Sequence, residues 1–339
     1  MRHASQYFPR HAARLIEEAL ADTRVVVVNG ARQSGKSTLA EEVRKQQPAA
    51  VARFLDNPGT RAAAADPVGF LQHDGLMLID EVQRVPDLWL AVKYLVDRDP
   101  RPGRFLLTGS ARLLALRSLP DALPGRSETI ELWPLSQGEI DGMPDGFVQA
   151  AFRHGAQLRA EAAGLGRRDY LARARRGGYP EAVHRDNDRR RARFFADMSR
   201  LAGAVGITVP TVRTWLRILE TIFLIKLVPA WSANRTARAT STPKVMFLDS
   251  GLAGHLAPGA APDTSSGRLI ENAGEIIAIE VKSAETIRSE DFRGVRLLQR
   301  RLGARFRAGY VLYCGAESLS FGDGLVALPI SALWTTPSA

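Results

Sequence analysis

Residues 30–37 read Gly-Ala-Arg-Gln-Ser-Gly-Lys-Ser, and their types and spacing are those of a loop that cradles phosphate. Gly30 lets the chain turn off a strand, and Gly35 lets backbone N–H groups reach oxygens that a Cβ would block. At a helix start those amides form an anion nest. Lys36 adds a point charge for the β- and γ-phosphates, and the Ser37 hydroxyl suits a Mg2+ ligand. The expected nucleotide contacts are Gly30, Ala31, Arg32, Gln33, Ser34, Gly35, Lys36, Ser37 and Thr38. This chemistry serves a nucleoside triphosphate, and nothing in the loop separates ATP from GTP.

A second group completes the set. The apolar run 75–79 ends in Asp80-Glu81, as a buried parallel strand does when its carboxyl end faces a ligand crevice. Asp80 is assigned, with Ser37, to Mg2+, through water. Glu81 is one residue further and so turned the other way, where it would orient or deprotonate the water attacking the γ-phosphate. The run 104–107 ends in Thr108-Gly109-Ser110, so Thr108 or Ser110 is expected to sense that water or the γ-phosphate.

Several elements must position these groups. Strands are expected at 25–28, 52–56 and 128–132, besides the two above, with amphipathic or mixed segments between them and a helix opening at Thr38 and Leu39. Alternating strands and helices imply a parallel sheet covered on both faces.

With these residues in place the chain resembles a known family, the prokaryotic AAA-type ATP-binding proteins that carry a C-terminal domain of unknown function. The matching stretches are the 30–36 loop, Phe54-Leu55-Asp56, Ile79-Asp80-Glu81-Val82-Gln83, Leu107-Thr108-Gly109-Ser110, Gly125-Arg126, Leu132-Trp133-Pro134-Leu135-Ser136, Gly177-Gly178-Tyr179-Pro180-Glu181, Phe247-Leu248-Asp249-Ser250-Gly251-Leu252 and Ile279-Glu280-Val281-Lys282. The resemblance implies a P-loop NTPase sheet of order 5-1-4-3-2 and points to ATP with Mg2+. It also suggests that Arg126 acts on a γ-phosphate, its own chain's or a neighbouring subunit's; a surface arginine in an arginine-rich chain is the equal alternative.

The division expected is an ATPase domain at 1–140, a basic helical region with a helix-turn-helix-like segment at 141–232, and a shortened α/β nuclease-like domain at 233–339. A length of 339 residues, 45% of them hydrophobic, can bury such cores. No apolar run reaches a membrane span and the first residues form no secretory leader, so the expectation is a cytoplasmic protein without a membrane partner. Cys314 is the single cysteine, and six scattered histidines show no metal-ligand spacing.

Charge is concentrated. Residues 151–217 hold fifteen arginines against six acidic residues, which places nine of the formal net charge of +10 in that region. Within it, 202–216 reads as helix, turn, helix, with Thr208 as N-cap and Arg213 outward. Nonspecific nucleic-acid affinity, sequence reading and simple domain packing all remain open there.

Two stretches that relatives carry have no counterpart. The chain passes straight from 197–199 into 200–202, and Leu269-Ile270-Glu271-Asn272 runs almost directly into Ala273-Gly274-Glu275-Ile276. A phosphodiesterase needs several convergent carboxylates around its metal. Glu280, Lys282 and an unplaced Glu271 do not supply them, so nuclease activity is not expected. A βαβ unit is expected at 276–281, 291–302 and 310–313, with Trp334 in the core.

The sequence therefore supports an ATP-binding protein that hydrolyses ATP and couples nucleotide state to a protein or nucleic-acid partner. A slow or non-hydrolysing switch and a DNA-tethered ATPase are the alternatives, and self-association bears on all three through Arg126.

Overall fold

The computed structural model describes residues 7–110, 123–203, 219–228, 244–256 and 266–337, with side chains left aside at 110, 197–203 and 266–267. Strands β1 (Val25–Gly30), β2 (Val51–Phe54), β3 (Met77–Asp80), β4 (Phe105–Ser110) and β5 (Ser127–Leu132) form one sheet in the order β2-β3-β4-β1-β5. Every pairing in it is parallel, so the expected order 5-1-4-3-2 is the observed one.

The period-2 pattern of β1 explains why the sheet is covered twice. Val25 and Val27 pack with Trp89, Val92 and Val96 of the helix Asp87–Arg98. Val26 and Val28 meet Ile16 and Leu20 of the helix Ala12–Asp22, and Leu39 and Val43 of the helix Lys36–Lys45. This rigid frame brings the carboxyl ends of β1, β3 and β4 side by side.

A short antiparallel pair, β6 (Ile225–Val228) with β7 (Lys244–Phe247), follows. The C-terminal sheet runs β11-β12-β10-β9-β8, built from β8 (Ser266–Asn272), β9 (Glu275–Val281), β10 (Phe306–Tyr313), β11 (Leu319–Ser320) and β12 (Leu325–Pro329). β9, β10 and β12 are parallel, and the helix Arg293–Leu302 supplies the crossover between β9 and β10, as expected of a βαβ unit. β8 returns antiparallel onto β9. The turn between them is Ala273-Gly274, with φ of 48° and 86°, the left-handed pair that a two-residue hairpin requires.

The expected middle region does not keep to itself. The helix Phe147–His154 packs on the C-terminal sheet, Phe147 and Ala151 joining Ile277, Tyr310 and Leu328 in one cluster. The Tyr310 hydroxyl donates to Gly155 O at 2.7 Å, and Tyr170 meets Trp334 edge-on, which places that tryptophan in a core. The stretch 147–158 therefore covers the last sheet, burying its apolar face against Ile277, Tyr310 and Leu328. The turn and second helix expected at 202–216 lie outside the described residues, beyond the end of the helix Asp188–Gly203.

Candidate functional site

The loop after β1 is shaped by its neighbours. Gly30 adopts φ +157°, and a Cβ there would lie 2.2 Å from Leu132 O on β5, so only glycine lets the two backbones approach. Gly35 sits at φ +93°, and Gln33, without glycine's freedom, holds φ 64°, local strain of the kind that ligand clamps store. Asn29 Oδ1 accepts from Gly30 N at 2.9 Å, and Ser34 Oγ donates to Ala31 O at 2.9 Å. The helix opens at Lys36, two residues earlier than its expected start, with no side-chain cap. Its first-turn amides are therefore left for an anion. Ser37 is half-buried beside them, and Arg32, Gln33 and Thr38 are exposed.

Lys36 is buried and donates to Gly30 O at 3.1 Å and Ala31 O at 2.7 Å. Burial pushes its pKa down to about 8, while the carboxylates of Glu81 and Asp80 pull upward and Arg32 pushes further down. A triphosphate beside the ammonium favours the charged form. Binding above pH 8 is therefore expected to take up a proton. Affinity should hold below pH 8 and fall beyond it, approaching about tenfold per unit. Calorimetry in two buffers of different ionisation enthalpy reads that proton directly.

The second group makes contacts that its expected roles did not include. Asp80 is buried at the end of β3, and its Oδ1 accepts from Thr108 Oγ1 at 2.5 Å. Its other oxygen has no protein hydrogen bond among the described residues, as suits a group that serves a cation. Thr108 is fully buried, gives its proton to Asp80 and accepts from Glu81 N at 3.2 Å. Thr108 thereby positions both acids, a contact that its expected role as a sensor did not include. The side chain of Ser110 lies outside the described residues, although β4 pairs it with Gly30.

Glu81 also needs a corrected rationale. β3 ends at Asp80, and Glu81 takes a left-handed conformation, φ 59°. Strand alternation therefore does not aim its side chain; a turn does. Gln83 Nε2 donates to Glu81 Oε2 and holds the half-buried carboxylate there.

Arg126 is corrected outright for its own chain's nucleotide. It precedes β5, where Ser127 pairs with Val25, the amino-terminal end of β1. The loop leaves the opposite end, roughly 20 Å away by strand rise. The guanidinium is spent on Asp97, with Nη2 to Oδ2 at 3.2 Å, and on Pro124 O at 3.1 Å.

A different arginine reaches the loop. Arg10 is buried, donates to Ser34 O at 2.8 Å and Trp133 O at 2.6 Å, and pairs with Glu139 at 3.1 Å. Glu139 in turn accepts from the backbone N–H groups of His11 and Ser136. No spacing rule could have found Arg10, because its partners are 24 to 129 residues away in the chain. Arg10→Ala is expected to cost about 3 kcal/mol, since it strands the Glu139 carboxylate in a buried site. Thermal unfolding measures the loss, and Arg10→Lys should not restore it because an ammonium lacks the fork that spans three acceptors.

The loop is also backed from behind. Ala31 shares a core cluster with Tyr179, Phe194, Leu224 and Leu252, and a Cβ on Gly35 would lie 3.7 Å from Pro180. Gly178 carries Tyr179 into place: its carbonyl accepts from Leu135 N at 2.7 Å, and its N–H donates to the buried Asp249 at 2.6 Å. Asp249 Oδ1 accepts from Leu252 N at 2.7 Å. The Trp-Pro-Leu-Ser, Gly-Gly-Tyr-Pro and Leu-Asp-Ser-Gly stretches of the resemblance thus meet in one latch behind the phosphate loop.

Elsewhere the arginine-rich region is divided. Arg173, Arg185 and Arg191 pair with Asp141, Glu181 and Asp188, whereas Arg168, Arg175, Arg189, Arg190 and Arg193 are exposed without a side-chain partner among the described residues. At the C-terminal sheet Lys282 pairs with Glu280 at 2.9 Å. Glu271 pairs with Arg305 at the far end of the hairpin, about 13 Å from Glu280 by strand rise, so the two carboxylates do not converge. No helix among the described residues is long and apolar enough to cross a membrane.

Comparison with known proteins places three segments. Residues 22–141 match the AAA domain family, 195–263 a domain of unknown function (DUF8612) and 268–333 another (DUF4143). The uncharacterized proteins Rv2008c of Mycobacterium tuberculosis and Mb2031c of Mycobacterium bovis are each 31% identical over 264 residues, covering 72% of this chain. The chain spans 58% of the length of these curated relatives. Among solved structures, the Walker-type ATPase PABY2304 of Pyrococcus abyssi is similar at a TM-score of 0.42 and 14% identity, over 74% of this chain and 96% of that one.

Proposed function

Because the chain belongs to the AAA-type ATP-binding proteins that carry a C-terminal domain of unknown function, we propose that it binds ATP with Mg2+ after β1, hydrolyses it, and passes nucleotide state to a partner. One observation carries this reading: a buried ammonium, Lys36, stands at an uncapped helix start within electrostatic reach of Asp80 and Glu81. Ser37 and Asp80 would hold Mg2+, which when bound neutralises charge on the β- and γ-phosphates. Lys36 leaves the loop carbonyls for phosphate oxygens, the first-turn amides bind the same anion, and Glu81 takes the proton of the attacking water on a carboxylate oxygen. The latch through Tyr179 and Asp249 is the route by which a shifted loop reaches the rest of the chain.

Calorimetry of the full chain with Mg-ATP is expected to give saturable binding that Lys36→Ala weakens about 100-fold or more, the scale of losing a charge-assisted phosphate contact in a buried site. Absence of heat with any purine triphosphate overturns the reading.

A slow switch is the second reading, and the contact from Gln83 to Glu81 favours it, because a donor on Oε2 lowers the basicity of the carboxylate. Steady-state turnover separates the two. The unpartnered arginines between 168 and 193 support nonspecific polyanion affinity, for which duplex binding must fall steeply with salt.

A further inference from the structure

A cavity of about 510 Å³ lies where three modules meet, away from the phosphate loop. Its floor is the carboxyl edge of the C-terminal sheet, with Val281 ending β9, Lys282 and Ser283 following it, Cys314 after β10 and Ile330 after β12. In open α/β sheets that edge is where ligands enter. The helix Arg167–Arg176 forms one wall through Tyr170, Leu171 and Ala174, Leu333 and Trp334 form another, and Ser136 and Gln137 close it from the ATPase side. The volume falls within the range of small-molecule sites, which are mostly apolar with a few convergent polar groups.

The charged lining residues are Arg173, Lys282 and Asp145. Lys282 is held by Glu280 at 2.9 Å, with Asp291 at 3.9 Å. Asp145 is already engaged, accepting from Ser136 Oγ and pairing with His11 at 3.0 Å. Arg173 spends only Nη1 on Asp141 and Gln137. Its Nε and Nη2 donors have no partner among the described residues, and the guanidinium lies 5.6 Å from the Trp334 ring centre. A flat cation with two idle donors beside an aromatic wall recognises a carboxylate, sulfonate or phosphate attached to an apolar body.

We propose that this cavity is a binding site for a small amphipathic organic anion, its apolar body against Tyr170, Leu171, Leu333 and Trp334 and its anionic end on the idle Nε and Nη2 groups of Arg173. The site needs no nucleotide. It does adjoin the latch, because Ser136 follows Leu135 and Ser250 follows Asp249.

The test uses the full chain and 8-anilinonaphthalene-1-sulfonate as probe, with saturating Mg-ATP present throughout. One saturable site per chain is expected by fluorescence. N-Phenyl-1-naphthylamine, the same body without the sulfonate, should bind at least tenfold more weakly, and Arg173→Gln should weaken the sulfonate by a similar factor. Ala174→Trp, which puts an indole among the lining side chains, should weaken binding at least tenfold, with a thermal melt confirming that the variant folds. Equal affinity for the two probes overturns the anion assignment. Unchanged affinity in a folded Ala174→Trp chain, or several weak sites in place of one, overturns the cavity. Both comparisons on the unaltered chain stand even if a variant does not fold.

Discussion

Replacing Glu81 by Gln lowers ATP turnover of the full chain by about 10²- to 10⁴-fold and leaves Mg-ATP binding within about twofold, the pattern of a lost general base. Gln keeps the length of the side chain and its hydrogen bonding, so the left-handed turn at φ 59° and the bond from Glu81 N to Thr108 Oγ1 persist. What disappears is the negative charge and the ability to take a proton. Binding should survive because Lys36, the first-turn amides and Asp80 are untouched. A variant that turns over ATP as fast as the unaltered chain removes Glu81 from the chemistry. Low turnover in both, with normal binding, supports the switch.

Asp249→Ala is expected to lower the melting temperature by about 10 °C. Asp249 is buried and accepts Gly178 N at 2.6 Å and Leu252 N at 2.7 Å. Removing it leaves at least two buried N–H groups without acceptors, a cost of about 3–5 kcal/mol, and each kcal/mol is worth about 2–4 °C in a domain of this size. Gly178→Ala attacks the same latch from the other side, since its Cβ would lie 2.2 Å from Leu135 O. Both variants should also weaken ATP binding, because Tyr179 packs against Ala31 of the loop. A melting temperature within about 1 °C of the unaltered chain for Asp249→Ala would show that the carboxylate is dispensable.

The 30–37 loop, the five parallel strands and the βαβ unit of the last sheet are legible in the amino-acid sequence. Each depends on contacts short in sequence or on a repeating pattern. Two-residue alternation in β1 decides which valines face which helices, and Gly30 and Gly35 answer to local backbone conformation. Resemblance extends that reading to the strand order and assigns Arg126 by its position in a motif, yet a loop that precedes the fifth strand of a parallel sheet opens on the edge opposite the 30–37 loop.

Glycine geometry and apolar periodicity act within a few residues, so the order of amino acids is enough to put a phosphate-binding loop after a buried strand and an acid pair at the end of a neighbouring one. Folding in three dimensions was needed to give Thr108 to Asp80, to pair Arg126 with Asp97, and to brace the loop with Arg10 and the Gly178–Asp249 latch. The reason is physical: a buried hydrogen bond is specified by whichever donor the folded chain brings within about 3 Å of an acceptor, and separation along the chain carries no information about that distance.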